Sequence, residues 1–362
     1  MAATGGMRLL VQLFLDAIGA SSLVIGLVGS LDALGMLAGS FAWGAMSDRL
    51  RRRPLLLAAM GGLVLTCAVF VFLPPPSVAL PAALLQAFAR TGFAAMGIAM
   101  ISAVSIAGRR GRNLSYLTSA SALGFALGGG VMGFVLDAVG FRWGFLVATS
   151  LPALGVVSLL FLPHESRTVL SERQTAWRMA LHAGLAPLYF GTMLRQMAIH
   201  GAFALIFVYM AAEGIPAGLM GVVAAANMAT QTLAMMLFGR LADLIGRRRV
   251  FVLGFALSTA VPCVFALADA AWSMALGFVL LGLSFSSLYM GSTAHIGDRI
   301  PEARQGTMLG LFESVRGLGG IVGPILAGAI RPAIGFEGMF LVMAAIAALG
   351  LIVILVPGRR SR

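Results

Sequence analysis

The sequence predicts an all-α integral membrane protein, with twelve membrane-spanning helices arranged as two homologous six-helix bundles. Three observations predict this fold class: the composition, a series of long apolar segments, and a repeat at one constant offset. Of the 362 residues, 60% are hydrophobic and 10% are charged, whereas an average soluble domain has about 25% charged residues. So few charges cannot cover a water-soluble globule of this size, which excludes a soluble enzyme, a nucleic-acid-binding protein and a disordered chain.

The apolar segments set the number of spans. A helix needs roughly 20 apolar residues to cross a bilayer, and helices are expected because lipid offers no partner for unpaired backbone groups. Eleven segments are long enough, and a shorter one precedes them. In chain order, spans 1 to 12 lie at about 7–18, 22–46, 54–73, 80–107, 113–137, 141–162, 187–212, 216–239, 250–268, 272–296, 306–331 and 336–356.

The basic residues predict the orientation of the chain. All 25 are arginines, and they give a net charge of +12. Nineteen of them fall in loops on one side of the predicted membrane, whereas only Arg142 and Arg331 fall on the other. By the positive-inside rule, the arginine-rich loops, the central loop and the C-terminus are cytoplasmic. We therefore expect a multi-pass protein of a bacterial-type inner (plasma) membrane, embedded in the lipid bilayer, whose arginines set its orientation and bind no nucleic acid.

A repeat at an offset of 195 residues predicts the domain organisation. The matching pairs are Gly44 and Gly239, Asp48 and Asp243, Gly128 and Gly323, and Gly133 and Gly328. The chain is thus predicted to contain an N-terminal six-helix bundle over 1–162, a polar cytoplasmic linker over 163–186 and a C-terminal bundle over 187–362. Parallel repeats of this kind are typical of transporters, with a substrate site near the membrane midplane.

The same offset predicts a short first span. It places Met1 on Gln196, nine residues after Pro187 in the matching span. We therefore expect span 1 to lack the counterpart of the cytoplasmic end of span 7. The glycines of spans 5 and 11, including Gly128 and Gly323, are expected to form helix-packing surfaces.

Two loops carry related motifs. The loop between spans 2 and 3 reads Gly44-Ala45-Met46-Ser47-Asp48-Arg49-Leu50-Arg51-Arg52-Arg53, and the loop between spans 8 and 9 reads Gly239-Arg240-Leu241-Ala242-Asp243-Leu244-Ile245-Gly246-Arg247-Arg248. Both resemble the G-x-L-a-D-r-x-G-r-k motif of the major facilitator superfamily. The first copy has Arg51 where the motif has its second Gly, and the second copy lacks the first Arg. The resemblance implies a transporter that moves a small molecule by alternating access. We also expect a monomer, and we expect no enzyme because the sequence has no recognisable nucleotide-binding loop, metal cluster or nucleophile–base arrangement.

The resemblance also implies that these loops form a latch between the two halves. Gly44 is expected to let span 2 approach a neighbour closely, and Asp48 to face the positive N-terminus of span 11. In the alternative interpretation, Asp48 only caps a turn and the arginines only set the topology. The predicted latch residues are Gly44, Asp48, Arg49, Arg53, Gly239, Asp243 and Arg247.

Four charged residues fall near the membrane midplane, where ionisable groups are costly and therefore candidates for function. They are Asp32, Arg90, Glu313 and Arg316. The resemblance implies that spans 2, 4 and 11 are neighbours, so that Asp32 can pair with either arginine. A carboxylate that an arginine keeps ionised becomes a proton carrier when the pair opens. The alternatives are a fixed structural pair at Asp32 and mutual neutralisation of Glu313 and Arg316. Arg195 is expected to extend towards the cytoplasmic surface.

The family resemblance implies that spans 1, 4, 7 and 10 line a cavity. The predicted pocket residues are Gln86, Arg90, Gln196, His200, Ser286 and Tyr289, with Asn227 and Gln231 of span 8 behind them. The leading hypothesis is proton-coupled efflux (antiport) of an apolar or amphipathic compound. A sugar or organic-anion carrier and a non-transporting membrane sensor or scaffold are the alternatives. We expect no metal site and no cofactor, with a proton gradient as the energy source.

Overall fold

The computed structural model describes residues 1–47, 50–104, 110–161, 184–300 and 302–355. Within these ranges every regular element is an α-helix, as predicted. The helices before the central segment are α1 (Ala2–Ala17), α2 (Ser22–Ser47), α3 (Arg52–Val71), α4 (Pro76–Val104), α5 (Arg110–Val139) and α6 (Phe141–Leu160). Those after it are α7 (Ala186–Ala204), α8 (Ile206–Ala212), α9 (Ala217–Ile245), α10 (Arg247–Ala266), α11 (Ala271–Arg299) and α12 (Glu302–Leu355).

Each of the twelve predicted spans is helical over most of its described residues, with two departures in the second half. Span 7 is interrupted at Leu205, where the backbone leaves helical geometry, so that it comprises α7 and α8. Spans 11 and 12 run together in α12 and are separated by Gly335, which has φ 70° and ψ −174°. Glycine adopts a positive φ without a steric penalty, so this residue turns the chain between two spans. In α1, 16 residues are helical, fewer than in any of α2 to α6.

The helices have the length and polarity of membrane spans. Nine helical stretches in the described ranges are long and apolar enough to cross a bilayer. Large apolar side chains such as Leu65, Leu127 and Leu233 remain largely exposed. Exposed apolar surface of this extent is unfavourable in water and favourable against lipid. The chain is therefore a multi-pass membrane protein.

The chain divides into two compact units. Unit 1 comprises Met1–Ser171 and Gly214–Ala225, and unit 2 comprises Glu172–Glu213 and Ala226–Arg362. The first part of α9 thus groups with unit 1, although the predicted boundary assigned it to the C-terminal half. Most of the predicted linker over 163–186 lies outside the described residues. The division into six-helix halves stays a prediction.

Close contact between α2 and α4 organises one side of unit 1. A Cβ atom at Gly35 would overlap the carbonyl oxygen of Leu84, and one at Gly39 would lie 3.0 Å from that of Phe88. The indole Nε1 of Trp43 donates a hydrogen bond of 2.8 Å to the same Phe88 oxygen. Small residues on one helix let the backbones approach closely, and this brings side chains at matching depths within reach of each other.

Glycines play the same part in unit 2, where α7 packs along α12. A Cβ at Gly319 would overlap the Met193 carbonyl oxygen, and one at Gly323 would overlap that of Met197. In unit 1, a Cβ at Gly128 of α5 would overlap the Ala2 carbonyl oxygen of α1. The prediction that glycines of spans 5 and 11 form packing surfaces is confirmed.

The N-terminus of α9 is capped by a residue of α5, within unit 1. The two carboxylate oxygens of Asp137 accept hydrogen bonds from the backbone amides of Ala217, at 3.1 Å, and Gly218, at 2.8 Å. The first amides of a helix have no partner within that helix and carry partial positive charge. Asp137 therefore satisfies and neutralises this helix end, a contact that our sequence predictions did not include.

Candidate functional site

Unit 1 holds an ion pair between α2 and α4. An Arg90 nitrogen, Nη2, donates to both carboxylate oxygens of Asp32, at 3.1 Å and 3.0 Å. The close approach of the two backbones at Gly35 explains the pairing, because Asp32 lies one helical turn before it. Of the two arginines considered as its partner, Asp32 thus pairs with Arg90. The Asp32 side chain is 40% exposed and that of Arg90 is 19% exposed, so the carboxylate is the more accessible partner.

Gln86 lies one turn from Arg90 on α4, but it faces a different helix. Its amide nitrogen is 3.1 Å from the sulfur of Cys67, a buried residue of α3. A thiol is a weak hydrogen-bond partner and behaves mainly as a small apolar group. The structure therefore places Gln86 in the α3–α4 contact, and Cys67 is a neighbour that our predicted pocket lacked.

Unit 2 holds a buried arginine, which corrects one expectation. Arg195 is 1% exposed and does not extend towards the cytoplasmic surface. Its guanidinium donates to Ser258 Oγ at 2.8 Å, to Ser284 Oγ at 3.1 Å and to Gln196 Oε1 at 2.9 Å. The expectation failed because the serines of α10 and α11 are small enough to admit a guanidinium between the helices and polar enough to bind it.

The hydrogen bonds of Arg195 continue along α7. Gln196 Nε2 lies 2.7 Å from Nε2 of His200. A guanidinium only donates, so the Gln196 oxygen must face Arg195 and its amide nitrogen must donate to His200. This arrangement requires that Nε2 of His200 accepts the hydrogen bond. The two predicted pocket residues of α7 are therefore one network with Arg195.

A second ion pair of unit 2 lies on α12, among aromatic rings. Arg316 Nη1 is 2.8 Å from both carboxylate oxygens of Glu313, as expected from their spacing. The Arg316 guanidinium lies over the rings of Phe285, at 5.3 Å, and Tyr289, at 5.8 Å from their centroids. These two rings of α11 stack at 5.5 Å. Our predictions missed Phe285, although its position four residues before Tyr289 places both on one helix face.

The predicted polar residues of α9 and α11 have different surroundings. Ser286 is fully buried, and its hydroxyl lies within hydrogen-bond distance of the backbone oxygens of Gln231 and Gly282. Asn227 is 6% exposed, and its backbone oxygen lies against Gly282. The structure therefore places Ser286 and Asn227 in the α9–α11 contact and not on an open pocket wall.

In the part of the chain that the structure describes, no group of three or more His, Cys, Asp or Glu side chains is arranged to hold a metal ion. Unit 1 instead has the Asp32–Arg90 ion pair, and unit 2 has the Glu313–Arg316 ion pair and the hydrogen-bonded network of Arg195. Each of these groups of side chains can bind charged or polar groups.

Comparison with known proteins decides the family. The family model described as the Major Facilitator Superfamily matches residues 2–214 and 188–362. The chain belongs to the Major Facilitator Superfamily. It is a membrane transporter with a small-molecule substrate, and members of this superfamily are not generally enzymes.

Relatives of this superfamily member include drug efflux proteins. It is 22% identical over 325 residues to the multi-drug resistance efflux pump PmrA of Streptococcus pneumoniae, covering 87% of this chain and 81% of that protein. It is 25% identical over 347 residues to the multidrug resistance protein MdtG of Dickeya zeae, covering 92% and 84%. Among solved structures, the nucleoside transporter NupG has a TM-score of 0.82 at 14% identity, covering 98% of this chain and 95% of that one.

A second solved structure supports the same fold. It is a bacterial homologue of the human lysosomal transporter Spinster, in an inward-facing and unoccupied conformation, with a TM-score of 0.79 at 11% identity. The alignment covers 98% of this chain and 92% of that chain. At such low identity these two likenesses show the superfamily fold alone.

The superfamily loop motif between α2 and α3 is described in part. Asp48 and Arg49 lie outside the described residues. Arg53 donates a hydrogen bond of 2.7 Å to the carbonyl oxygen of Leu160, at the C-terminal end of α6. Within the described ranges, a Cβ at Gly44 meets no atom within 4 Å, so the close approach expected at this glycine is not observed.

The second copy of the motif lies beside a cavity of about 990 Å³ in unit 2, lined by Asp243, Arg247, Arg248, Arg249, His295 and Asp298, among others. Arg247 forms an ion pair with Asp298 of α11 and donates to the Ala294 carbonyl oxygen at 2.9 Å. A Cβ at Gly239 meets no described atom within 4 Å. In this copy of the motif, Arg247 therefore connects the start of α10 to α11 by an ion pair and a hydrogen bond. The role of Asp243 in a latch stays a prediction.

Proposed function

We propose that this transporter exports an apolar or amphipathic small molecule by alternating access, in exchange for protons. The observation that carries the proposal is the Asp32–Arg90 pair, a half-exposed carboxylate and an arginine in the middle of two packed helices. Two relatives are named as efflux or multidrug resistance proteins. A proton gradient is the energy source, no other cofactor takes part, and one chain is the transporting unit.

The proton step follows from the geometry of this pair. Arg90 donates to both carboxylate oxygens of Asp32 as long as the two side chains are in contact. When α2 and α4 shift and the distance grows, these hydrogen bonds are lost and the carboxylate oxygens are open to a proton from the accessible side. Proton binding in turn removes the attraction that holds the pair closed. The pair thus links protonation to the packing of α2 on α4.

A reconstituted system tests the proposal. The full chain is placed in proteoliposomes, and a pH gradient is imposed. Accumulation is followed for three matched probes: naphthalene sulfonate (anionic), naphthalene sulfonamide (neutral) and trimethylnaphthylammonium (cationic). We expect the gradient to drive accumulation of at least one probe. Asp32→Asn should lose this accumulation and retain downhill exchange, because an amide cannot carry the proton.

Asp16→Asn is the matched control, since Asp16 is an exposed aspartate near the end of α1. This variant should accumulate the probe as the wild type does. If Asp32→Asn accumulates the probe to the wild-type level, Asp32 is not the proton carrier. If no probe moves in the wild-type chain, the proposed efflux of this class of compound is wrong.

A further inference from the structure

We infer that unit 2 binds the negatively charged group of an amphipathic substrate. Unit 2 contains Arg195, a buried arginine with a permanent positive charge. Within the described part of the chain, no acidic residue neutralises this charge. The inference rests on the proposed transport of a small molecule and names the charge of that molecule. It does not rest on proton coupling.

The position of Arg195 makes its charge permanent and costly. An arginine stays protonated in proteins, so burial cannot remove the charge. The three described partners of the guanidinium, Ser258, Ser284 and Gln196, are all neutral. They satisfy its hydrogen bonds but leave a full positive charge inside the bundle, where a charge without a counter-ion is strongly unfavourable. An anion nearby would remove this penalty.

The other charges of unit 2 do not supply that anion. Arg331 and Glu337 flank the turn at Gly335. Away from that turn and from the helix ends, its described residues include two further charged side chains, Glu313 and Arg316. Both oxygens of Glu313 are taken by Arg316. Arg316 also adds positive potential at Arg195. The membrane-embedded part of unit 2, in the ranges that the structure describes, thus has a net charge of +1.

The hydrogen-bonded network on α7 extends the positive electrostatic potential of Arg195 to Gln196 and His200, two side chains predicted to line the pocket. Arg195 donates to the Gln196 oxygen, and the Gln196 amide nitrogen donates to His200. In this series of hydrogen bonds, every dipole has its positive end directed away from the guanidinium, and successive hydrogen bonds polarise one another. In a low-dielectric interior the potential of the buried charge is screened far less than in water. Direct contact between Arg195 and the substrate is therefore unnecessary.

The aromatic residues of unit 2 suit the rest of such a molecule. Phe285 and Tyr289 are stacked with an interplanar angle of 10°, and both rings are partly exposed. Aromatic rings offer large apolar faces for stacking. The class of ligand that fits is an organic anion with a flat apolar body, bearing a carboxylate, sulfonate or phosphate group.

Binding of the three naphthalene probes to the purified full chain in detergent tests this inference. The probes share one ring system and differ in charge, so a difference in their dissociation constants reports electrostatic selection. We expect the wild type to bind naphthalene sulfonate at least about tenfold more tightly than the neutral and cationic probes. Arg195→Met should abolish this preference, whereas Arg195→Lys, which keeps the charge, should retain it.

The outcomes separate this inference from the proposed function. Tighter binding of the cationic probe, binding of none of the three, or an anion preference that persists in Arg195→Met would each overturn it. Removal of a buried charge that lacks a counter-ion is not expected to unfold the protein. Arg195→Gln gives a second neutral variant if Arg195→Met does not fold. Anion binding without flux in proteoliposomes would contradict the proposed function alone.

Discussion

The ion pair on α12 is asymmetric, because the Glu313 side chain is 52% exposed and the Arg316 side chain is 12% exposed. Loss of the carboxylate therefore leaves a mostly buried guanidinium without its counter-ion, and its Nε already has no hydrogen-bond partner among the described residues. We expect Glu313→Gln to lower the free energy of unfolding by about 1–3 kcal/mol. Glu313→Gln combined with Arg316→Gln should regain most of this loss, because no charge is then left buried.

Denaturant unfolding in micelles, followed by tryptophan fluorescence, measures both variants. Glu213→Gln is the matched control, since Glu213 is an exposed residue at the end of α8, and it should leave the unfolding midpoint unchanged. A double variant that is less stable than Glu313→Gln would contradict this expectation. It would show that Arg316 contributes to the stability of the bundle even without Glu313.

For single residues, the sequence predicted depth in the membrane better than it predicted the neighbouring side chains. The depth of Asp32 and Arg90 followed from counting residues along apolar spans. The resemblance to the superfamily added that spans 2 and 4 are neighbours, and the two together made the pairing a testable expectation. The surroundings of Arg195 could not be found in this way, because they depend on two serines 63 and 89 residues further along the chain. Hydropathy indicates how deep a residue lies in the membrane, but it does not indicate which side chains of neighbouring helices the residue contacts.

Among the helices, the contact of Asp137 with the start of α9 gives a specific prediction. Asp137→Ala removes the acceptor for the Ala217 and Gly218 amides, and loss of a helix cap costs about 0.5–2 kcal/mol. Hydrogen exchange of these amides should therefore become faster, by about tenfold for each 1.4 kcal/mol lost. Exchange in the middle of α9 should stay unchanged, because its amides bond within the helix.

Peptide-resolved hydrogen–deuterium exchange in micelles measures this effect. Asp16→Ala removes an exposed aspartate of the same unit and serves as the control. Unchanged exchange at the start of α9 in Asp137→Ala would mean that other groups satisfy these amides equally well.

The order of the helices was predictable, but their interruptions were not. Every predicted span is helical over most of its described residues, because a bilayer requires about 20 apolar residues with internally paired backbone groups. The break at Leu205 lies in an apolar segment whose two glycines, Gly191 and Gly201, are both helical, so no local signal marked the break itself. The turn at Gly335 lies in the predicted loop between spans 11 and 12, yet α12 runs through it with one non-helical residue. Helix ends depend on local packing that hydropathy does not record.

For the whole molecule, the arginine distribution predicts which side of the membrane each loop occupies. Nineteen of the 25 arginines lie in loops assigned to one side, and the C-terminus belongs to the same side. Translocation of arginine-rich loops is unfavourable, so this side is expected to remain cytoplasmic. We expect a green fluorescent protein fused after Arg362 to fluoresce in cells, and alkaline phosphatase fused at the same place to be inactive.

Insertion of the same reporters in short outer loops should give the opposite result. Gly140, between α5 and α6, and Ala270, between α10 and α11, lie in two such loops, one from each half of the chain. Active phosphatase at both places, together with fluorescence at the C-terminus, requires an even number of crossings between Gly140 and Ala270 and an odd number between Ala270 and the C-terminus. Active phosphatase at the C-terminus would instead mean that the arginines do not set the orientation of the chain. The arginine-rich loops would then be candidates for a binding surface.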